Sequence, residues 1–211
     1  MVVSFTAACR TIESLINERR NSMFSQLRIA KRGGFVPVLA SLLSLGTPAF
    51  AEETVCRGTF GAVTLDNIFV PDGAFCTLTG TTAKGNIVVG TGSTLSATRV
   101  SVNGNVQAEG ARSVSVLGGS SVGGSVQIVQ GGAAVLDWAR INGDVLLDSN
   151  NGPLSATRLA IGGNLQAFEN SGGVKISNNV MKGNLQCKAN TPAPTGGGNR
   201  AQQKEDQCER L

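Results

Sequence analysis

A glycine that returns every 19 or 20 positions constrains this chain more than any other feature. Gly85, Gly104, Gly124, Gly143, Gly163 and Gly183 each open a near copy of one short motif, from Lys84-Gly85-Asn86-Ile87-Val88-Val89 to Lys182-Gly183-Asn184-Leu185-Gln186-Cys187. A degenerate copy, Asp66-Asn67-Ile68-Phe69-Val70, begins 19 residues before Gly85. Self-similarity at a fixed period of this length marks a stacked-coil architecture. Within each copy the second and fourth residues after the glycine are apolar, as in Val126/Ile128 and Val145/Leu147. Period-two spacing puts both on one face of a strand. Later in the copies come Leu95/Ala97, Val114/Val116, Leu154/Ala156 and Val174/Ile176, then Val100/Val102, Ala139/Ile141 and Leu159/Ile161. Each copy therefore reads as three strands of three to five residues joined by Gly, Asn and Ser turns.

A single coil cannot bury its apolar face, whereas stacked coils share one continuous core. The pattern predicts an all-β, single-domain parallel β-helix (β-solenoid) of about seven coils of 19–20 residues over residues 52–190. Strands about 4.8 Å apart would make the stack roughly 30–35 Å long. A helical fold is excluded by 25 glycines among residues 52–211, each costing up to about 1 kcal/mol inside a helix. An immunoglobulin-like sandwich needs longer strands and hairpin turns at closer spacing.

The upstream sequence reads as an export leader. Arg28, Lys31 and Arg32 precede the apolar stretch Phe35–Leu45, and Ala49-Phe50-Ala51 supplies a small-x-small cleavage pattern. The apolar stretch is too short, and too interrupted by Pro37, to span a bilayer. Residues 23–51 are therefore expected to be a signal peptide starting at Met23, with residues 1–22 an extension upstream of the true start and no membrane span after cleavage. The leader also accounts for the net charge of +4. Residues 1–51 carry six basic and two acidic side chains, and the remainder carries twelve of each. A neutral mature chain removes the charge-based case for a nucleic-acid partner.

Cysteine spacing agrees with both readings. Beyond Cys9 in the leader, Cys56 and Cys76 lie 20 residues apart, and Cys187 and Cys208 lie 21 apart. Four cysteines allow three pairings. The gaps match one coil, which selects Cys56–Cys76 and Cys187–Cys208 as staples at the two ends. Each is worth about 3 kcal/mol in the loop-entropy account. Residues 191–211 leave the repeat and are expected to be a C-terminal cap tied back by Cys208. Disulfides place the protein in an oxidising compartment, periplasmic or extracellular.

The Gly-Asn-Val/Leu-Gln coils, with the closing Gly183-Asn184-Leu185-Gln186-Cys187 and Lys204-Glu205-Asp206-Gln207-Cys208, resemble a group of uncharacterised secreted bacterial β-helix repeat proteins across nearly all of residues 54–211. More loosely, the pattern is similar to bactofilins, which are polymer-forming β-helices. The chain differs from bactofilins in its leader, its cysteines and its longer coil. The closer resemblance implies a fold and export, and no activity.

The chemistry available is limited. Histidine and tyrosine are absent, which removes Ser-His-Asp and Cys-His machinery and histidine-ligated metals. The glycine pairs lack the features of a calcium-binding nonapeptide or a phosphate loop, so no cofactor and no metal are expected. Asp137, Asp144 and Asp148, with Arg140 between them, form the only local acid cluster. They read as turn acids, although paired acids on neighbouring coils are what a polysaccharide-cleaving β-helix would need.

Trp138 is the lone tryptophan and a candidate for stacking on a sugar ring. Two polar columns complete the inventory. Asn86, Asn105, Ser125, Asp144, Asn164 and Asn184 form an outer ladder or corner stack, and Gln107, Gln127, Gln166 and Gln186 form a second column. Amide ladders stabilise stacked strands. The glutamine column, with Trp138, is also the candidate binding face, for a second copy of the chain or for envelope polysaccharide. The alternating hydroxyl residues Thr94, Ser96 and Thr98 echo too irregularly in later coils for an ice-binding array. The expectation is a non-enzymatic exported structural or interaction protein, with a carbohydrate-binding module and a polysaccharide-cleaving enzyme as alternatives.

Overall fold

The computed structural model describes residues 52–211, so the expected signal peptide and cleavage site lie outside the described residues. One coil shows how the chain runs. Val126–Val129 lies in a first sheet (sheet A), Ala133–Asp137 in a second (sheet B) and Arg140–Ile141 in a narrow third (sheet C). Val145–Asp148 then returns to sheet A alongside Val126–Val129. Among the described residues, repetition builds parallel sheets of nine, eight and seven strands. The fold is an all-β parallel solenoid of about eight turns.

The alternation read from the sequence sets which side chains face inward. Ile87, Val106, Val126, Val145, Leu165 and Leu185 are in register through sheet A, and all are essentially inaccessible to solvent. Sheet B supplies the facing column Leu78, Ala97, Val116, Leu136, Ala156 and Ile176. Burying each of these side chains stabilises by roughly 1.5–3 kcal/mol for the larger residues. Sheet C differs from expectation, because its strands are only two residues long. Val100, Ala139 and Leu159 are buried, but they sit on the corner before the strand rather than inside it.

The corners explain that difference. After sheet A the chain turns through one left-handed residue, for example Gln130, Ser149, Glu169 and Ala189, with φ between 53° and 56°. After sheet B it turns through Arg99, Trp138, Arg158 and Asn178, with φ between 50° and 57°. Each residue following such a turn is directed inward, which interrupts the period-two pattern. Left-handed backbone costs an L-residue roughly 1–2 kcal/mol, so the corners need compensating bonds.

Asparagine supplies them. Asn150, Asn170 and Asn190 follow the first turn, Asn179 and Asn199 the second, and all five are buried. Their side-chain amides donate to the main-chain oxygens of Ile128, Leu147, Ala167, Ala156 and Ile176 at 2.8–3.0 Å. Their Oδ1 atoms accept main-chain N–H groups one coil back, including those of Gly131 and Leu159. Among the described residues no buried side-chain nitrogen or oxygen lacks a partner.

The third corner, from sheet C to sheet A, holds the ladder read from the sequence, as a half-buried corner stack. Main-chain N–H groups of Asn86, Asn105, Ser125, Asp144, Asn164 and Asn184 each donate to the side chain one coil back, at 2.7–3.0 Å. The repeating glycine follows from this ladder. A Cβ on Gly104, Gly124, Gly163 or Gly183 would lie well under 3.0 Å from the ladder oxygen of the previous coil.

Both expected disulfides are present, with Cα–Cα distances of 5.5 Å for Cys56–Cys76 and 5.3 Å for Cys187–Cys208. Cys56 and Cys76 do not stack in one column. Cys56 directly follows the sheet A strand Glu53–Val55, and Cys76 belongs to the sheet B strand Phe75–Thr79, so this bridge joins two sheets inside the core. At the other end the coils continue beyond residue 190. Thr195–Gly197 pairs with sheet B, Lys204–Asp206 with sheet A, and Arg200 bridges to Val180. Gln207 then closes the asparagine ladder, its Oε1 accepting from the main chain and side chain of Asn190 at 2.9 and 3.1 Å.

Candidate functional site

The glutamine column lies on the outer face of sheet A, but it is not continuous. Register places Leu146 between Gln127 and Gln166. Two separate bonded pairs result: Gln107 donates to Gln127 at 3.3 Å, and Gln166 donates to Gln186 at 2.8 Å. Gln186 in turn donates to Glu205 at 2.8 Å. Toward the first coil the same column reads Val88, Phe69 and Val55. Three of the four glutamine amides are thus spent on holding neighbouring coils together.

Trp138 does not share that face. It occupies the corner between sheets B and C, with φ of 50°, and is 67% exposed. The two parts of the face expected from the sequence are therefore separate sites. Sequence spacing could not show this, because the corner turn sends Trp138 away from the strand that carries Gln127.

The three acids also separate. Asp137 ends a sheet B strand, accepts from Thr157 Oγ1 at 2.6 Å and forms an ion pair with Arg158. The Thr157 hydroxyl, helped by the Arg158 guanidinium, holds its carboxyl below the usual value against the opposing effect of burial. Asp144 is a rung of the corner ladder, accepting the Asn164 N–H at 2.7 Å. Asp148 lies on sheet A and accepts from Ser149 Oγ at 3.1 Å. Among the described residues no three histidine, cysteine, aspartate or glutamate side chains gather as a metal site.

A different grouping emerges on sheet C and its bounding corners. Trp138 lines a shallow groove of about 590 Å³ with Arg140, Arg158, Ala160, Asn178 and Val180. A second groove of about 290 Å³ lies beside it and shares Arg140, Ala160 and Val180, with Lys182 on its far side. Arg140, Ala160, Val180 and Arg200 follow one another in register along the outer column of sheet C.

Charge concentrates on the same face. Of the twelve basic side chains in residues 52–211, six belong to this arc: Lys84, Arg99, Arg140, Arg158, Lys182 and Arg200. Only three of the twelve acids accompany them, namely Asp66, Asp137 and Asp144. Lys84 is paired with Asp66 at 3.0 Å and Arg158 with Asp137. Among the described residues Arg99, Arg140, Lys182 and Arg200 have no carboxylate within 4.0 Å.

The fold and this face define a parallel β-solenoid with one basic, aromatic-bordered side. No protein-family model, curated protein or solved structure matches the chain.

Proposed function

We propose that the chain is an exported, non-enzymatic structural or interaction protein of the bacterial envelope or exterior. The observation that carries this reading is how the polar side chains are used. Asn, Ser, Asp and Gln side chains bond from coil to coil along the sheet A side and through the corners. A polar inventory committed to stacking stabilises a stiff scaffold and leaves few groups to act on a substrate. The disulfides at both ends suit an oxidising environment outside the cytosol. The sequence resemblance to secreted repeat proteins points the same way, and the exposed polar and aromatic side chains suit a second copy or envelope polysaccharide as partner. Cell fractionation tests location, and incubation with a panel of envelope polysaccharides tests chemistry. The reading expects oxidised protein outside the cytoplasm and no shortened or unsaturated sugar released. Cleavage abolished by Asp144→Asn or Asp137→Asn would overturn it.

A carbohydrate-binding role is favoured by one specific observation. Trp138 is the largest exposed apolar side chain, and it borders a groove that holds two arginines.

A further inference from the structure

We infer that the outer face of sheet C binds an acidic polysaccharide, with uronate carboxylates held by Arg140 and Arg200 and a sugar ring stacked on Trp138. This deepens the interaction reading above and rests on it. A neutral mature chain gives no hint of such a surface, because its acids and bases cancel in number. Folding separates them: half of the bases and a quarter of the acids share one narrow side. Surface potential depends on that local imbalance rather than on net charge.

The geometry suits a linear anionic chain. Arg140 and Arg200 occupy the same column three rungs apart, about 14 Å at the usual strand spacing. Ala160 and Val180 lie between them and present small apolar side chains, Val180 being 54% exposed. The floor between the two cations is therefore shallow and leaves room for a sugar backbone. A guanidinium offers a planar fork that receives a carboxylate through two parallel hydrogen bonds. Arg140 has only a weak internal contact, from Nε to Asn142 Oδ1 at 3.4 Å, so its outer nitrogens remain available.

Trp138 adds what a purely ionic surface lacks. The corner residue one coil back is Gly119, whose N–H donates to the Trp138 oxygen at 2.6 Å and which has no side chain to cover the indole. An aromatic ring offers the apolar face of a sugar a large contact area. Every strand beneath the face is bonded to its neighbours, so binding requires little ordering of the backbone. Nucleic acid would satisfy the cations through phosphates. The disulfides argue for a compartment where glycans are the more accessible polyanions.

The test uses purified oxidised protein, titrated calorimetrically at low salt with oligogalacturonate, with a neutral gluco-oligosaccharide of equal length and with single-stranded DNA of equal charge. Oligogalacturonate should bind with an affinity that falls as salt rises, and the neutral oligomer should not. Combined Arg140→Ala and Arg200→Ala should weaken binding roughly tenfold or more. Trp138→Ala should weaken it by about fivefold, with circular dichroism confirming the fold of each variant. The inference is overturned by no oligogalacturonate binding, by equal binding of the neutral oligomer, by indifference to the arginine replacements, or by DNA binding as tight and unaffected by Trp138→Ala. Those failures leave the scaffold reading standing. Release of shortened sugar from the oligogalacturonate would instead sink the non-enzymatic reading.

Discussion

Asn170 holds Asn150 twice, its Oδ1 accepting both the main-chain N–H and the side-chain amide of Asn150 at 3.0 Å. The Asn170 amide donates onward to Leu147 O and to Asn190 Oδ1, each at 2.9 Å. One buried side chain thereby links three coils at a corner where the strand ladder has stopped. Replacing Asn170 by Ala should leave two or three buried polar groups short of a partner and destabilise the protein by about 3 kcal/mol. Gln127→Ala, on the outer face, should stay within about 0.5 kcal/mol. Urea unfolding of the two variants checks this, and equal losses would mean that the corner ladder does not support the stack.

Gly163 lies against the carboxylate of Asp144 so closely that a Cβ would overlap Oδ1. Gly163→Ala should cost about 2–3 kcal/mol as an overpacked site. Asp144→Ala removes the obstructing oxygen, so the double variant should be less destabilised than the sum of the singles by at least about 1 kcal/mol. Strict additivity in a double-mutant cycle would refute the close-approach account of the repeat glycine.

Ala189 holds φ of 56° at a corner. Glycine adopts that conformation without the Cβ conflict that alanine carries. Ala189→Gly should therefore stabilise the protein by about 1 kcal/mol in chemical denaturation, the reverse of what glycine does inside a strand. A loss of stability would contradict the corner geometry.

Gln207 and Cys208 close the same end of the stack, Gln207 on the Asn190 ladder and Cys208 through its bridge to Cys187. Replacing Cys187 and Cys208 together by Ser should remove about 3 kcal/mol. Faster amide exchange should appear first at Asn190 and Leu185, with Val126 in the middle coils protected much longer. Uniform loss of protection along the chain would show that the bridge does more than cap an end.

Asp137 titrates below the usual carboxylate value, chiefly because Thr157 donates to it, with Arg158 adding to the effect. A carboxyl whose folded value is lowered contributes stability above its unfolded value, and that contribution is lost as pH falls through the folded value. Thr157→Val should move the Asp137 carboxyl back toward the usual value in an NMR titration. It should also reduce the difference in stability between neutral and acidic pH. An unmoved titration would show that the hydroxyl is not the main cause.

The sequence by itself determined the coil, the parallel stacking and which strand residues face inward, because a fixed period and a two-residue alternation leave one way to bury Ile87, Val126 and Leu185 together. It also selected both disulfide pairings, since the cysteine gaps equal one turn. It correctly placed Asn86 through Asn184 in a polar stack.

Only the tertiary structure showed that Asn150, Asn170 and Asn179 are buried. Their inward direction depends on the left-handed residue before each, a backbone state that Ser149, Glu169 and Asn178 do not announce. The break at Leu146 and the distance in the fold between Trp138 and the glutamines likewise depend on register and corner angle. The basic face is the clearest case. Arg140 and Arg200 are sixty residues apart, and their shared column exists only because those sixty residues make three full turns of the coil. Composition sums charge over the whole chain, whereas a partner meets one side of it.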